Sequence, residues 1–495
     1  MGEVFVGRRW LQPEFVVCYI LVVVAVWLGD TLLNPGLSHP DEFLTYVRTK
    51  NLLETGDFLT VTVGGLPSWE KPPLQYWGGA LLLSLGFSPV FSLRFLPYLF
   101  ALLTLGLTAL TAKHLSPNNR WAMPFAVILT TLSQLFIKHS RLALLETGLC
   151  FFILLSVYSL WRAQENRNWW FLWGLSCGLG AMQKVPIAWI VSVIVALPFL
   201  VFRRERFKRS MVSGSFALAA LMGLALTLAW PLVQAYRWGG AYWDKVHFET
   251  FQRVAQGIHE VEGSGMGFQL DRVLFYTYDA AVFWVLAGLS VLFALGRKLL
   301  KDDLKQQGVL LCWLVLTLGL TISAGPVYPR YILVILPLMS VVTAANLARV
   351  WPSPWPIFLV LAVCWAYQAP RLAMVPYHHL DWIRCDLYFA AQRFDRVLDT
   401  REVGLTFVKL NDSPVLPFLD YRTRVRRVHS LEELSPDETY TMFTETSLLS
   451  SLRERFETFE VLFTYGDFVV VRLNPRRLRP VAQPRPKASQ THNSP

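Results

Sequence analysis

Long unbroken apolar stretches, rather than alternating or one-faced patterns, dominate the first three quarters of the chain. They fall at about residues 15–33, 74–87, 90–112, 121–137, 144–161, 168–182, 185–202, 212–236, 272–296, 308–323, 330–348 and 354–369. Most are long enough to cross a hydrocarbon core of roughly 30 Å at about 1.5 Å per residue. The first, FVVCYILVVVAVWLGDTLL, is followed by Asn and Gly rather than a small-residue cleavage site, and reads as a retained anchor. The stretch at 74–87 is short for a crossing and reads as an interfacial helix. After residue 370 the pattern changes to short β-type runs (VGLTFVKL, FEVLFTYGDFVVVRL) interleaved with polar helical ones (SLEELS, SLLSSLRERFE), which predicts a small α/β domain over 370–475. Residues 476–495, rich in Pro and Arg, read as a disordered basic tail.

Charge fixes the orientation. With 74–87 not crossing, Arg8 and Arg9, the stretch Lys113 to Arg120, RRERFKR at 203–209 and RKLLKDDLK at 297–305 all fall on one side, as the positive-inside rule requires. That gives a mainly α, polytopic membrane protein with about eleven transmembrane helices over 1–369, its N-terminus inside and its C-terminal domain outside the membrane. The net charge of +11 belongs to these scattered loops and the tail, so nucleic acid is not an expected partner; membrane lipid is. Hydrophobic residues make up 54% of the chain, too many for an ordinary soluble enzyme of this size. Five of the six cysteines (Cys18, Cys150, Cys177, Cys312, Cys364) lie in apolar segments and Cys385 does not, a distribution that does not suggest a disulfide framework.

Under this topology the outer face receives the segments 34–73, 138–146, Gln183/Lys184, 237–271 and 324–330, and with them the ionisable residues that the positive-inside rule leaves unexplained. In SHPDEF, Ser38 is a good N-cap, and Asp41 and Glu42 suit the positive end of a helix; two adjacent acids at a membrane surface also suit catalysis, and both readings stand. In EKPPLQYW, Lys71 precedes two prolines that can open a helix, so an ammonium and free N–H groups meet in an anion site. Pairing with Glu70, or snorkelling to headgroups, is the plainer alternative. Glu146 lies about a turn into an apolar span, where a carboxyl is costly unless paired, with Lys138 and Arg141 as candidate partners. Lys184 occupies a short outer turn. His247, Glu249 and Arg253 follow one another in the long outer loop, whose Gly257, Gly263, Gly265 and Gly267 suggest mobility. His39, His247 and His259 show no zinc spacing, and no cofactor is required; nothing in the sequence supports a divalent metal.

In order and in wording these islands resemble the GT-C membrane glycosyltransferases that use polyprenyl-phosphate sugars. The similarity is strongest to the bacterial aminoarabinose (lipid A) transferase and the protein O-mannosyltransferase families. It covers about residues 35–345 and is carried by the Asp41/Glu42 pair, GDFLTVTVGGLPSWEKPPLQYW, RFLP, SRLALLETG, QKVP, HFETFQR and PRYILVILPL. The resemblance implies a GT-C fold with interfacial helices in the first outer loop. It further implies transfer of a sugar from a polyprenyl (undecaprenyl) phosphate donor to lipid A or another envelope acceptor, on the periplasmic side of the inner membrane. By the same resemblance Asp41 is the catalytic carboxylate, with Glu42 beside it and Glu146 where the family usually has aspartate. Lys71 and Arg253 would hold the lipid phosphate, with Lys184, Glu70, Tyr76 and His247 as further substrate-binding residues. Val185 departs from the glycine that commonly follows the matching lysine. Two other functions remain open: a protein O-glycosyltransferase of the same fold, and a transporter or flippase for a lipid-linked sugar. Charges at the outer ends of the spans, rather than at their midpoints, disfavour the transporter.

Overall fold

The structure, a computed structural model, describes residues 12–33, 36–37, 39–63, 66–248, 281–297, 303–322, 329–350 and 354–374. In the C-terminal part it describes 393–394, 397–398, 403–407, 424–428, 434, 439–456, 459–466 and 468–473. Arg253, Glu249, the glycines of the long loop, His259, Cys385 and the basic tail lie outside the described residues. The chain divides into two compact units, Met1–Ile383 and Arg384–Pro495.

The first unit is helical. After α1 (Pro13–Gly29), helix α2 (Pro40–Thr55) opens on a capping box. The His39 ring accepts the Asp41 N–H at 3.1 Å, and Glu42 accepts the His39 N–H at 3.3 Å. The cap is thus His39, one residue beyond the serine that the sequence favours. Gly56 ends the helix at φ 68°, a conformation that glycine adopts without a Cβ clash. A two-stranded hairpin, β1 (Thr62–Val63) with β2 (Leu66–Pro67), leads to α3 (Leu74–Ser84). With 11 residues, α3 is about 16 Å long, half a bilayer core.

Helix α4 (Pro89–Leu115) is long enough to span. The apolar stretch 121–137, expected as one helix, is broken: α5 (Ala122–Thr131) ends, and the Ser133 hydroxyl caps α6 (Gln134–Arg141) through the Phe136 N–H. Between α6 and α7 (Glu146–Ala163) the chain bends by 116°, which turns the polar end of α6 toward the start of α7. Helices α8 (Trp169–Gln183), α9 (Ile187–Phe202), α10 (Arg204–Met211), α11 (Gly214–Trp238) and α12 (Gly240–His247) follow. The remaining helices of this unit are Ala281–Gly296, Leu304–Ile322, Leu336–Val350, entered by a 3-10 turn at Pro329–Ile335, and Trp355–Met374.

Among the described residues, five helices are long and apolar enough to cross a membrane, six if α6 and α7 count as one broken span; four further apolar helices are shorter. Small residues bring helices together, as is usual where lipid removes the hydrophobic drive between them. A Cβ on Gly174 of α8 would lie 2.1 Å from the Ala219 carbonyl oxygen of α11, and one on Gly223 would lie 2.6 Å from the Gly174 oxygen. The helix Leu336–Val350 is buried on nearly all sides, whereas α11 exposes Leu218, Leu221, Leu224, Leu228 and Leu232, a face suited to lipid. The protein is integral to a membrane.

The second unit carries a five-stranded sheet in the order β4 (Arg424–Arg427), β3 (Val403–Phe407), β5 (Tyr440–Glu445), β7 (Phe468–Leu473), β6 (Phe459–Tyr465). Strand β3 pairs parallel with both neighbours, and β5, β7 and β6 pair antiparallel. Leu405, Met442, Val469 and Val471 pack with Leu452 and Phe456, which flank the strands in the short helix Leu449–Arg455 and just after it.

Candidate active site

The islands that the sequence scatters over almost three hundred residues converge on one cavity of about 180 Å³. Its charged lining is Asp41 and Arg48 from α2, Glu70 and Lys71 from the loop before α3, Glu146 from the start of α7, Lys184 from the α8–α9 turn, and Arg330 from the 3-10 turn. Tyr76 and Tyr331 complete the polar wall.

Each carboxylate in it has a cation. Arg330 Nη1 lies 2.5 Å from Asp41 Oδ2, and Lys184 Nζ lies 2.6 Å from Glu146 Oε1. Arg48 Nη2 lies 2.7 Å from Glu70 Oε2. Secondary contacts link the pairs: Arg330 Nε is 3.5 Å from Glu146 Oε1, and Lys245 of α12 reaches Glu70 Oε1 at 3.6 Å. Arg48 also donates to the Ser68 hydroxyl at 2.9 Å and to the Tyr76 oxygen at 3.2 Å, which anchors the Lys71 loop to α2. The buried Arg48 Nε has no hydrogen-bond partner.

Among the described residues that line the cavity, four cations face three carboxylates, and the one without a close counter-ion is Lys71. Among the described residues no ion-pair or hydrogen-bond partner meets its ammonium. Burial chiefly, with Lys184 and Arg48 adding repulsion, pushes Lys71 down to about 8. A half-buried, unmatched cation just upstream of the N-terminus of α3 is a site built for an anion.

Sequence and structure differ at several residues. Glu42, expected beside Asp41 as a catalytic carboxylate, does not line the cavity. It is fully buried against Arg94, accepting from Nε at 2.7 Å and Nη2 at 2.8 Å, and it accepts the Ala143 N–H at 2.8 Å. It therefore ties α2 to α4 and to the α6–α7 bend, and so fixes where Asp41 points. His247 is exposed at the end of α12 and is not part of the cavity wall. Arg141, a candidate partner for Glu146, instead holds Asp30 at 2.5 Å. Glu70 pairs with Arg48 and Lys245 rather than with its neighbour Lys71. The sequence alone assigns no role to Arg48, Arg330 or Tyr331; Arg48 stands seven residues, two helical turns, from Asp41 and so shares its face.

The family model described as dolichyl-phosphate-mannose-protein mannosyltransferase matches residues 17–252. The undecaprenyl phosphate-alpha-4-amino-4-deoxy-L-arabinose arabinosyl transferase of Pseudomonas aeruginosa is 29% identical over 242 residues, 47% of this chain and 43% of that one. A Pseudomonas fluorescens protein of the same name is 27% identical over 336 residues, 66% of this chain and 57% of its own. The chain thus spans about half the length of the curated relatives it matches. The crystal structure of ArnT from Cupriavidus metallidurans bound to undecaprenyl phosphate superimposes with a TM-score of 0.67 at 16% identity, covering 92% of this chain and 97% of that one. Fold and sequence agree: the chain has the fold of that ArnT structure, and in sequence it is similar to the aminoarabinose transferases and to the protein mannosyltransferase family.

Proposed function

We propose that the protein is a glycosyltransferase that moves a sugar from undecaprenyl phosphate, or a similar polyprenyl phosphate, to lipid A or another envelope acceptor. The membrane unit is the catalytic domain, with its cavity facing the periplasm from the inner membrane, and the sheet unit is an extracytoplasmic accessory. The observation that carries this reading is the surplus cation: three matched ion pairs and an unmatched Lys71 suit a ligand with a single negative charge, such as a phosphodiester. The relatives named as undecaprenyl-phosphate transferases, and the ArnT crystal structure with that lipid bound, support the same ligand class.

In this reading Lys71 holds the lipid phosphate, in a partly dry site where a fixed charge is worth more than in water. Asp41, on the cavity wall and partly exposed, takes the proton of the acceptor hydroxyl. A single displacement at the anomeric carbon inverts its configuration. Glu70, bridged between Arg48 and Lys245, positions the Lys71 loop, and Lys184 keeps Glu146 ionised beside the site.

Purified full-length protein in nanodiscs, supplied with an undecaprenyl-phosphate-linked sugar and lipid A, tests the proposal. Transfer seen by mass spectrometry, and lost in Asp41→Asn and Lys71→Ala, is the expected result. Unchanged turnover in both variants removes the catalytic assignment. The mannosyltransferase family match favours a second reading, in which a protein hydroxyl is the acceptor. Comparison of envelope lipids and glycoproteins with and without the protein separates the two.

A further inference from the structure

Charge counting in the cavity singles out Arg330. Before any ligand enters, the carboxylate that is to take a proton is already neutralised, with Arg330 Nη1 2.5 Å from Asp41 Oδ2. Glu146 has its own counter-ion, with Lys184 at 2.6 Å, and Glu70 has Arg48 at 2.7 Å. Arg330 is therefore the nearest counter-ion of Asp41, while its Nε edge also reaches Glu146 at 3.5 Å. A sugar-linked polyprenyl phosphate is a phosphodiester with one negative charge, which Lys71 matches. With the donor bound, the charges of the described cavity lining balance, Lys245 at its edge apart.

Transfer moves a charge without changing the total. The acceptor oxygen forms a bond to the anomeric carbon, and its proton passes to Asp41. The bond from that carbon to the phosphate oxygen breaks, and its electron pair stays on the phosphate. A phosphodiester monoanion thereby becomes a phosphomonoester dianion, while Asp41 goes from carboxylate to acid. One negative charge disappears at Asp41 as one appears on the leaving group.

We propose that Arg330 follows this charge, serving as counter-ion of Asp41 before transfer and of the departing phosphate as the bond breaks. Proton removal and leaving-group departure then draw on one guanidinium, and neither runs ahead without an uncompensated charge. The inference rests on the sugar-transfer reading above. The side chain suits the task. A guanidinium carries five donors in a rigid plane, so the edge toward Glu146, with Nε at 3.5 Å from Oε1, can stay while Nη1 exchanges its partner. Its side chain is 24% exposed, which leaves it room to move on the cavity wall. Arg48 is poorly placed for this role: it is held by Glu70, Ser68 and Tyr76 together, at 8% exposure.

The test uses full-length protein in nanodiscs with an undecaprenyl-phosphate-linked sugar donor. Arg330→Gln lowers kcat on the order of 100- to 1,000-fold, the range seen when one transition-state donor is removed. The affinity for intact donor stays within about threefold, because uniform ground-state binding rests on Lys71. Arg330→Lys, which keeps the charge and loses the fork, recovers part of kcat. Added guanidinium ion, but not sodium at equal ionic strength, partly rescues Arg330→Ala. A kcat within about twofold of wild type in Arg330→Gln, or a loss carried wholly by a higher KM for donor, overturns the proposal. Should the glutamine variant fail to insert, Arg330→Lys decides, since wild-type kcat there shows that the fork is dispensable. Failure of the underlying reading looks different: the wild-type protein itself then transfers no sugar from the lipid-linked donor.

Discussion

Lys184 Nζ stands 2.6 Å from Glu146 Oε1, with the two side chains only 11% and 4% exposed, so a buried ion pair forms part of the cavity wall. Removing one member of such a pair leaves the other charged and dry, which costs about 3–5 kcal/mol. Glu146→Ala should therefore lower thermal stability measurably as well as abolish transfer. Glu146→Asp should keep more of both, since it retains the charge but withdraws it by one methylene. Melting followed by size-exclusion chromatography in detergent, beside a transfer assay, checks both. A Glu146→Ala variant that melts like wild type would show that Lys184 finds another partner.

Glu42 and Arg94 predict a different phenotype. Their side chains are 0% and 1% exposed, and Glu42 also receives N–H groups from Ala143 and His39. Glu42→Gln should destabilise the protein by about 3 kcal/mol, because a buried guanidinium loses its countercharge. Activity should fall in proportion to the folded fraction and not beyond it, apart from any loss from a displaced Asp41. Normal melting together with abolished turnover would place Glu42 among the groups that react.

How much of this was legible in the sequence follows from what an ionisable residue costs. Glu146 and Lys184 stand out because each interrupts apolar sequence, where an unpaired charge is expensive. Lys71 stands out because two prolines follow it. Arg48 does not, since it lies in the polar run TYVRTKN, where a cation is ordinary. Arg330 sits at the end of an apolar helix, where a snorkelling arginine is equally ordinary. The Asp41/Glu42 pair misleads for a geometric reason. Consecutive helical residues diverge by about 100°, so when Asp41 faces the cavity Glu42 faces Arg94. The break between α5 and α6 is hidden because the uncharged TTLSQ at 130–134 interrupts the apolar run only mildly, and the capping role of Ser133 shows only once the Phe136 N–H is seen to reach it.

Lys71 gives the site a pH dependence with a definite sign. Its ammonium titrates near 8 in the unliganded protein, held down mainly by burial and then by Lys184 and Arg48. The protonated form binds an anion and the neutral form does not. Affinity for the sugar-linked donor, a phosphodiester that does not itself titrate in this range, should therefore be at its plateau below about pH 7 and fall up to tenfold per unit as pH rises past 8, until the higher pKa of the complex is reached. Lys71→Arg stays charged throughout and should flatten this limb, even if its larger head binds the lipid less well. Binding measured from pH 6.5 to 9.5 in nanodiscs is the check. A limb that persists unchanged in Lys71→Arg would assign the titration elsewhere.

Trp69 connects the Lys71 loop to α11 and α12. It precedes Glu70 and Lys71, donates from Nε1 to Gln234 Oε1 at 3.2 Å, and meets Trp238 and Tyr242 edge-on at 5.9 and 5.8 Å. The backbone carrying Lys71 is thereby clamped to α11 and α12. Its register depends on this clamp as well as on the Arg48 contacts to Ser68 and Glu70. Trp69→Ala removes two aromatic contacts, each worth about 0.5–1.5 kcal/mol beyond area burial, and frees the loop. Donor KM should rise about tenfold, with kcat less affected, because a looser Lys71 weakens ground-state and transition-state binding alike. Trp69→Phe keeps a ring against Trp238 and Tyr242 and loses the bond to Gln234, so its KM should fall between wild type and alanine. Equal KM values for all three proteins would mean that the Arg48 contacts and the Lys245–Glu70 pair hold the loop without Trp69.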